Sequence, residues 1–315
     1  KNHAEFVSLE LPHAVLNNDI DQLRQSFLEK ESDTDVSAKL YDLLIAPLKP
    51  HIQTTNLVIV PHQVLHHLPF AALWNEEDNR YLMEEYAITY APSASTLKFI
   101  QAKRNRNQRR LLALGNPDGS LKAAENEVEA IAALFNTDPF LLDEATETQV
   151  HVQAQNVDIL HLAAHGKYED NNPLFTRIEL APDTVSGRDS DSDIEDSSTN
   201  DGWLEVHEIF NLNLSDANLV VLSACDTSNA TMTRGDDLIG LPRAFIYAGA
   251  PAVITTLWPI DDDASAVLME TFYQHWLSGM TTAEALRSAQ IDVMATDELA
   301  SPYYWAAFQL NGDYR

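Results

Sequence analysis

Val157-Asp158-Ile159-Leu160-His161-Leu162-Ala163-Ala164-His165-Gly166 and Leu219-Val220-Val221-Leu222-Ser223-Ala224-Cys225-Asp226-Thr227 are the two stretches on which the fold of this chain turns. Each is an apolar run of strand length that ends in a reactive side chain. The first delivers a histidine followed by glycine, the second the single cysteine of the chain. A cysteine nucleophile needs a proton acceptor within hydrogen-bond reach, and histidine is the usual one. Two parallel strands ending side by side would bring His165 and Cys225 together across a long sequence separation.

Outward from these runs, the pattern alternates strand and helix. Leu111-Leu112-Ala113-Leu114-Gly115 reads as a strand and residues 121–135 as a helix that buries Val128, Ile131, Ala132 and Phe135. A short strand at 140–142 precedes a helix opened by Thr146, and residues 175–180 read as another strand. Residues 238–247, 264–277 and 283–294 read as helices, 252–257 as a strand, and 303–310 as an element able to close the sheet. Unbroken apolar strands alternating with helices predict an α/β fold, a mainly parallel sheet with helices on both faces. In such sheets the active groups lie beyond the carboxyl ends of the strands, where His165 and Cys225 fall.

Upstream the pattern differs. Residues 1–50 read as a helical segment, with Ile20, Leu23, Phe27 and Leu28 on one face and a second helix closed by Pro47 and Pro50. They suit the end of an upstream repeat array. Residues 51–108 read as an N-terminal β subdomain, with a hairpin turning at His62-Gln63 and a further strand at 86–91. The catalytic α/β core is assigned to 109–315. Residues 103–110 read as a basic linker. Residues 183–201, with seven acidic residues against one arginine, read as an exposed loop.

The chain has 315 residues, is 45% hydrophobic and carries a net charge of −28. That charge disfavours nucleic acid and anionic membranes as partners, since both need clustered Lys and Arg. No apolar run reaches the roughly 18 residues of a membrane span, and no secretory signal is visible. A first residue of Lys1 suggests a processed or excised part of something longer. One cysteine excludes an internal disulfide and a thiolate metal cluster, and it fits a reducing, cytoplasmic setting. No cofactor is expected. His161 lacks the neighbouring Glu and the helical spacing of a zinc motif, so it reads as a packing residue. His62, His66 and His67 read as surface or packing residues. Gly115-Asn116-Pro117-Asp118-Gly119 lacks the pattern and the lysine of a phosphate loop.

Gly166 lets a backbone N–H approach a ligand. It pairs naturally with the N–H of Cys225 as an oxyanion hole. The carboxylates of Asp226, Asp261, Asp262 and Asp263 suit an arginine or lysine side chain. One of the three aspartates at 261–263 is expected to cap a helix.

With these residues in hand, the chain resembles the CHAT peptidase family, caspase-like domains related to separase and often found after tetratricopeptide repeats. The resemblance runs from about Leu40 to the C-terminus. It is carried by Leu57-Val58-Ile59-Val60-Pro61, Leu68-Pro69-Phe70-Ala71-Ala72-Leu73 and Tyr90-Ala91-Pro92-Ser93-Ala94-Ser95. Further matches are His161-Leu162-Ala163-Ala164-His165-Gly166, Val220 through Thr227, Gly235-Asp236-Asp237-Leu238-Ile239-Gly240-Leu241, Leu257-Trp258-Pro259-Ile260-Asp261 and Pro302-Tyr303-Tyr304-Trp305-Ala306-Ala307-Phe308. It implies a caspase-like fold, a His165–Cys225 dyad and a substrate pocket lined by the region Trp258 to Asp263, with Trp258 as a wall, Asp261, Asp262 and Asp263 as candidate substrate-binding carboxylates and Asp226 as the next candidate. It also implies a regulated cysteine endopeptidase acting on a protein or peptide, with an upstream repeat domain or regulatory partner. Residues 227–235 would be the loop that rearranges on activation, with Arg234-Gly235 a self-cleavage point. The rival is a catalytically silent interaction module on the same fold. A serine hydrolase is disfavoured, because no Gly-x-Ser-x-Gly elbow appears.

Overall fold

The computed structural model describes residues 4–9, 13–102, 109–169, 172–183, 200–223 and 240–315. Among them eight strands form one sheet: β1 (Asn56–Ile59), β2 (Ala87–Tyr90), β3 (Leu111–Gly115), β4 (Phe140–Leu141), β5 (Ile159–Ala163), β6 (Leu219–Ser223), β7 (Ala252–Thr256) and β8 (Phe308–Gly312). Their order is β1-β2-β8-β7-β6-β5-β3-β4. Strands β4, β3, β5, β6 and β7 run parallel, as do β1, β2 and β8, and the two blocks meet antiparallel at β7 and β8. The carboxyl ends of β3, β5, β6 and β7 therefore share one edge of the sheet.

Helices cover both faces. They are α1 (His13–Leu28), α2 (Thr34–Leu44), α3 (Ala94–Ala102), α4 (Lys122–Phe135), α5 (Glu147–Gln153), α6 (Gly240–Ala248), α7 (Asp262–Leu277) and α8 (Thr282–Met294). Strand side chains alternate between faces. Ile159, Ala163, Leu219, Val221 and Ile254 thus join Val128 and Ile131 of α4 and Leu268 and Phe272 of α7 in one core. Leu160, Leu162, Val220, Leu222 and Val253 join Val150 of α5 and Phe245 of α6 in the other. Every residue of β3, β5 and β6 is buried, which is why these strands are apolar except for His161 and Ser223, each of which has a buried hydrogen-bond partner.

The register of the three central strands is fixed at their starts. Asp158 is fully buried. Its Oδ2 accepts from the backbone N–H of Arg110 at 3.0 Å and from Arg110 Nε at 3.1 Å. Its own N–H donates to the carbonyl of Arg110, and its carbonyl accepts from Asn218 and Leu219. One residue thereby aligns Leu111, Ile159 and Leu219, the first residues of β3, β5 and β6.

One sequence expectation of this region needs correction. No hairpin turns at His62-Gln63: residues Gln63–His67 form a 3-10 turn, and β1 pairs in parallel with β2. The hairpin of this region is smaller, pairing Trp74–Asn75 with Arg80–Tyr81. Strands β1 and β2, from residues 51–108, lie in the same eight-stranded sheet as the core strands. Likewise α1 is packed into the larger core through Ile20, Leu23 and Phe27. Strand Arg177–Glu179 belongs to a small antiparallel sheet between Gly166–Lys167 and Trp203–Glu205. Most of the basic stretch 103–110 and of the acidic stretch 183–201 lies outside the described residues. The two ends of the acidic stretch meet, with the N–H of Asp183 donating to the carbonyl of Asn200 at 3.4 Å.

Replacing Asp158 with Ala removes the acceptor of a buried N–H and of a guanidinium. It should lower unfolding stability by about 2–3 kcal/mol. A urea titration with an unchanged midpoint would show that Asp158 does not hold the strands.

Candidate active site

His165 stands two residues beyond the end of β5, at the edge where β3, β6 and β7 also end. Its side chain is about three-quarters buried, with 28% relative exposure. The loop that leaves β3 holds it. Asn116, at φ 50°, is buried and donates its N–H to the carbonyl of Ala163 at 3.0 Å. The Asn116 side chain accepts from the N–H of Leu121 at 2.6 Å and donates to Glu125 at 3.0 Å. Gly115 makes room for this arrangement. A Cβ there would lie 2.6 Å from Val128 Cγ2 and 3.1 Å from the carbonyl oxygen of Ala124, so α4 comes this close to β3 only over glycine.

The loop delivers Ser120 and Asp118 to the imidazole. Ser120 Oγ lies 2.8 Å from His165 Nε2 and donates to Asp118 Oδ1 at 2.7 Å. Asp118 Oδ2 is 3.9 Å from Nε2. With its one proton given to Asp118, Ser120 can only accept from the ring, so Nε2 carries a hydrogen and Nδ1 keeps its lone pair. Partial burial raises the Asp118 carboxyl. Hydrogen bonds from the Ser120 N–H and hydroxyl, with the nearby His165, outweigh it and hold Asp118 below the ordinary carboxylate value. Neither residue is among those singled out from the sequence. The signal was available, since their loop leaves the strand next to β5 at the same edge.

Gly166 is buried and opens the short strand Gly166–Lys167. The N–H of Glu179 donates to the carbonyl of His165 at 2.8 Å, and Gly166 is paired with Ile178. Bonded and non-bonded pairs alternate along an antiparallel ladder. The N–H of Gly166 therefore points away from the neighbouring strand.

Cys225 and Asp226 lie outside the described residues, as does the loop 227–235. Ser223, the last residue of β6, is paired with Ala163. Cys225 thus follows Ser223 by two positions in sequence, as His165 follows Ala163. Ser223 Oγ is 2.8 Å from Ser265 Oγ on α7, which ties the end of β6 to the first turn of that helix.

The same turn carries the aspartates. Asp261 caps α7, its carboxylate accepting from the N–H of Ala264 at 3.4 Å. Asp263 is exposed, and Asp262 is half-buried. Burial pushes the Asp262 carboxyl up. The charges of Asp261 and Glu127 act in the same direction, against the pull of His165. Trp258 is not a pocket wall, and that expectation is corrected. It is 1% exposed, packs on Phe27 with ring centroids 6.0 Å apart, and donates its indole N–H to the carbonyl of Tyr303 at 3.0 Å.

His161 is wholly buried on the α4 and α7 side of β5. Its Nε2 lies 2.9 Å from Glu127 Oε1 and its Nδ1 3.1 Å from Tyr273 Oη. Both ring nitrogens are occupied by core partners. Elsewhere, Glu205, His207 and Glu208 bring their ligand atoms within 4.8 Å of one another. Glu208 is engaged as the acceptor for the N–H of Glu205 at the start of a short helix.

A mainly parallel sheet flanked by helices, with a histidine at one strand end and a cysteine following the adjacent strand in sequence, defines a caspase-like α/β protein. The chain belongs to the CHAT domain family, whose model matches residues 34–313. It is 27% identical over 320 residues to human tetratricopeptide repeat protein 28, an alignment covering 87% of this chain and 13% of that protein. The mouse protein of the same name is 26% identical, with the same coverage. The chain thus spans about an eighth of the curated relatives it matches.

Among solved structures it is similar to Saccharomyces cerevisiae separase in its complex with securin, with TM-score 0.55 and 16% identity over 90% of this chain and 17% of that one. It is also similar to the Arg-specific cysteine proteinase gingipain R, with TM-score 0.54 and 10% identity over 96% of this chain and 74% of that one. At such identities the likeness is one of fold. No helix among the described residues is long and apolar enough to cross a membrane.

A carboxyl raised by burial stabilises the fold at low pH, and that contribution is lost as pH rises through its folded-state value. Asp262→Asn should therefore raise Tm at pH 7, with the gain shrinking toward pH 4. A lower Tm at pH 7 would show that the Asp262 charge is needed by the fold, for example at the α7 N-terminus.

Proposed function

We propose that this chain is a cysteine endopeptidase in which Cys225 is the nucleophile and His165 its general base. The observation that carries the reading is the pairing of Ala163 with Ser223, combined with an imidazole whose Nε2 side is held by Ser120 and Asp118. That leaves Nδ1 to take the thiol proton. The thiolate then attacks the scissile carbonyl carbon, a C–S bond forms, and the negative charge on oxygen is received by the N–H groups of Gly166 and Cys225. As the C–N bond breaks, His165 returns the proton to the leaving amine. Water, giving a proton to His165, attacks the thioester and releases the acid and the thiol.

Asp262 is the residue proposed to receive the side chain before the scissile bond, with Asp226 as its companion. A desolvated carboxylate near the base favours arginine or lysine, since a basic side chain relieves the cost of burying that charge. Gingipain R, an Arg-specific cysteine proteinase of similar fold, is in keeping with this choice. A protein or peptide substrate, an upstream repeat domain and a cytoplasmic setting complete the reading. The repeat partner is suggested by the names of the relatives, and a regulatory partner by separase in complex with securin. Those same relatives are named for repeats rather than for proteolysis, which favours the silent scaffold as the second reading.

Labelling separates the two. A peptide electrophile with arginine before the reactive group should label the wild-type protein at Cys225, and Cys225→Ala should not be labelled. His165→Ala should lower the labelling and turnover rates by about two to four orders of magnitude. Equal labelling rates with and without His165 would leave the scaffold standing.

A positional-scanning peptide library should show arginine or lysine preferred before the cut, with the preference reduced in Asp262→Asn. Preference for leucine, methionine or aspartate there would remove Asp262 from the pocket and leave the dyad untouched.

A further inference from the structure

Two long stretches of this acidic chain contain no acidic residue. From Tyr86 to Pro117 and from Leu238 to Ile260 there is no Asp or Glu, although the chain carries 48 of them. The same two stretches build the walls of an open groove of about 830 Å³. Helix α3 gives Phe99 and Ile100 to one wall, and α6 gives Arg243, Ile246 and Tyr247 to the other. Pro251, just ahead of β7, also lines it. The groove therefore lies toward the edge where β7 begins, opposite the edge that carries His165.

Its rim is aromatic. Phe99 is 76% exposed and Tyr247 75% exposed. The Tyr247 ring stands edge-on to Phe210, with centroids 5.2 Å apart. Large apolar side chains left in water on facing helices mark a surface that another chain covers.

Charge selects which chain. Arg243 is exposed and makes no ion pair among the described residues. It is the single charged residue among the described wall residues. The sequence running on through α3 is basic as well, with Lys98, Lys103, Arg104, Arg106, Arg109 and Arg110 among the 20 Lys and Arg of the chain. Asp216, beside the wall residue Ser215, is the one acidic residue that adjoins the described wall in sequence. A net charge of −28 repels acidic partners from the surface at large. Here such a partner meets apolar rings and cations instead. Single-stranded nucleic acid suits the groove less, because it needs cations that track a phosphate at every residue.

We propose that this groove docks an acidic amphipathic peptide segment of a partner protein. Its bulky apolar side chains lie between Phe99 and Tyr247, and an Asp or Glu pairs with Arg243. Docking here leaves the His165 edge open. The inference does not rest on the peptidase reading, since a peptidase and a silent scaffold would use the same surface.

A display library of random peptides of about twelve residues, enough for three turns of helix, tests it. The library is selected on the full chain and counter-selected on the double variant Phe99→Ser, Tyr247→Ser. Surviving peptides should combine Leu, Ile, Phe or Trp with Asp or Glu and bind the wild-type chain saturably in fluorescence anisotropy. Arg243→Glu should weaken a selected peptide about tenfold, and so should replacing its carboxylates by amides. Binding should also weaken as salt rises from about 0.05 M to about 0.5 M. All three substituted side chains are exposed, so the variants should match the wild type in Tm and in the rate of Cys225 labelling, whatever that rate is. This separates loss of docking from failure of the peptidase reading. The proposal is overturned if no peptide survives counter-selection, if the survivors show no acidic excess, or if Arg243→Glu leaves their affinity unchanged. It is also overturned if an oligothymidylate of similar length displaces the peptides and loses its binding in Phe99→Ser, Tyr247→Ser.

Discussion

The site of this protein is set at the far end of its sheet, by a carboxylate that takes no part in it. Asp158 holds Arg110 through side chain and backbone and holds Asn218 and Leu219 through its carbonyl. It thereby brings β3, β5 and β6 into register at their first residues. Four residues later the same register emerges as Gly115, Ala163 and Ser223 side by side. A one-residue slip would exchange the faces of a whole strand. It would send His161 toward α6 and turn Leu160 or Leu162 toward Glu127 and Tyr273. The penalty for that error lies in both cores, which is why three short strands can fix the place of His165 with so little polar help.

The polar help that does exist is concentrated where the strands end. Asn116 closes its loop on the carbonyl of Ala163, and Ser120 carries the charge of Asp118 to the imidazole through one hydroxyl. Ser223 and Ser265 fasten β6 to α7. Asp262 on that helix is left partly desolvated near the same histidine. A fold that only needed stability would replace Asp262 by a neutral residue, because its carboxyl is disfavoured in the charged form. Its companion Asp261 shows the contrast, since its carboxylate is used by the helix as a cap.

What the sequence made legible follows from burial. Strands β3, β5 and β6 are covered on both faces, so their residues must be apolar or hydrogen-bonded within the core, and each reads as an apolar run broken at most by one polar residue, His161 in β5 and Ser223 in β6. The placement of His165 after β5 followed directly. Less was legible where the chain is half-exposed. The residues after β1 have the composition of a hairpin strand, yet Gln63–His67 makes a 3-10 turn, because β1 finds its partner in β2 rather than in the next residues. Trp258 follows a strand of the active edge and has a polar N–H, features shared by pocket walls and core residues. What decides it is α1, whose Phe27 covers the ring from a segment more than two hundred residues earlier. Asp118 and Ser120 are not legible from their loop's own pattern, because their contact with His165 depends on the loop lying beside β5.

The antiparallel junction of β7 and β8 gives the molecule a second kind of strand end. On the β5–β6 side, consecutive parallel strands expose their carboxyl ends and the loops that follow them. At β7 the neighbour runs the other way, so the end of β7 faces the start of β8, with Thr256 opposite Phe308. No βα loop of a next parallel strand can cover that corner. It is roofed instead by α1 and the Gln63–His67 turn, elements from the opposite end of the chain, and they bring Arg24 and His67 with them. Donors supplied by independent segments are not constrained to satisfy one another, as the residues of a single helix or ladder are. Arg24, His67 and Thr256 accordingly keep unpaired polar atoms where the sheet changes direction.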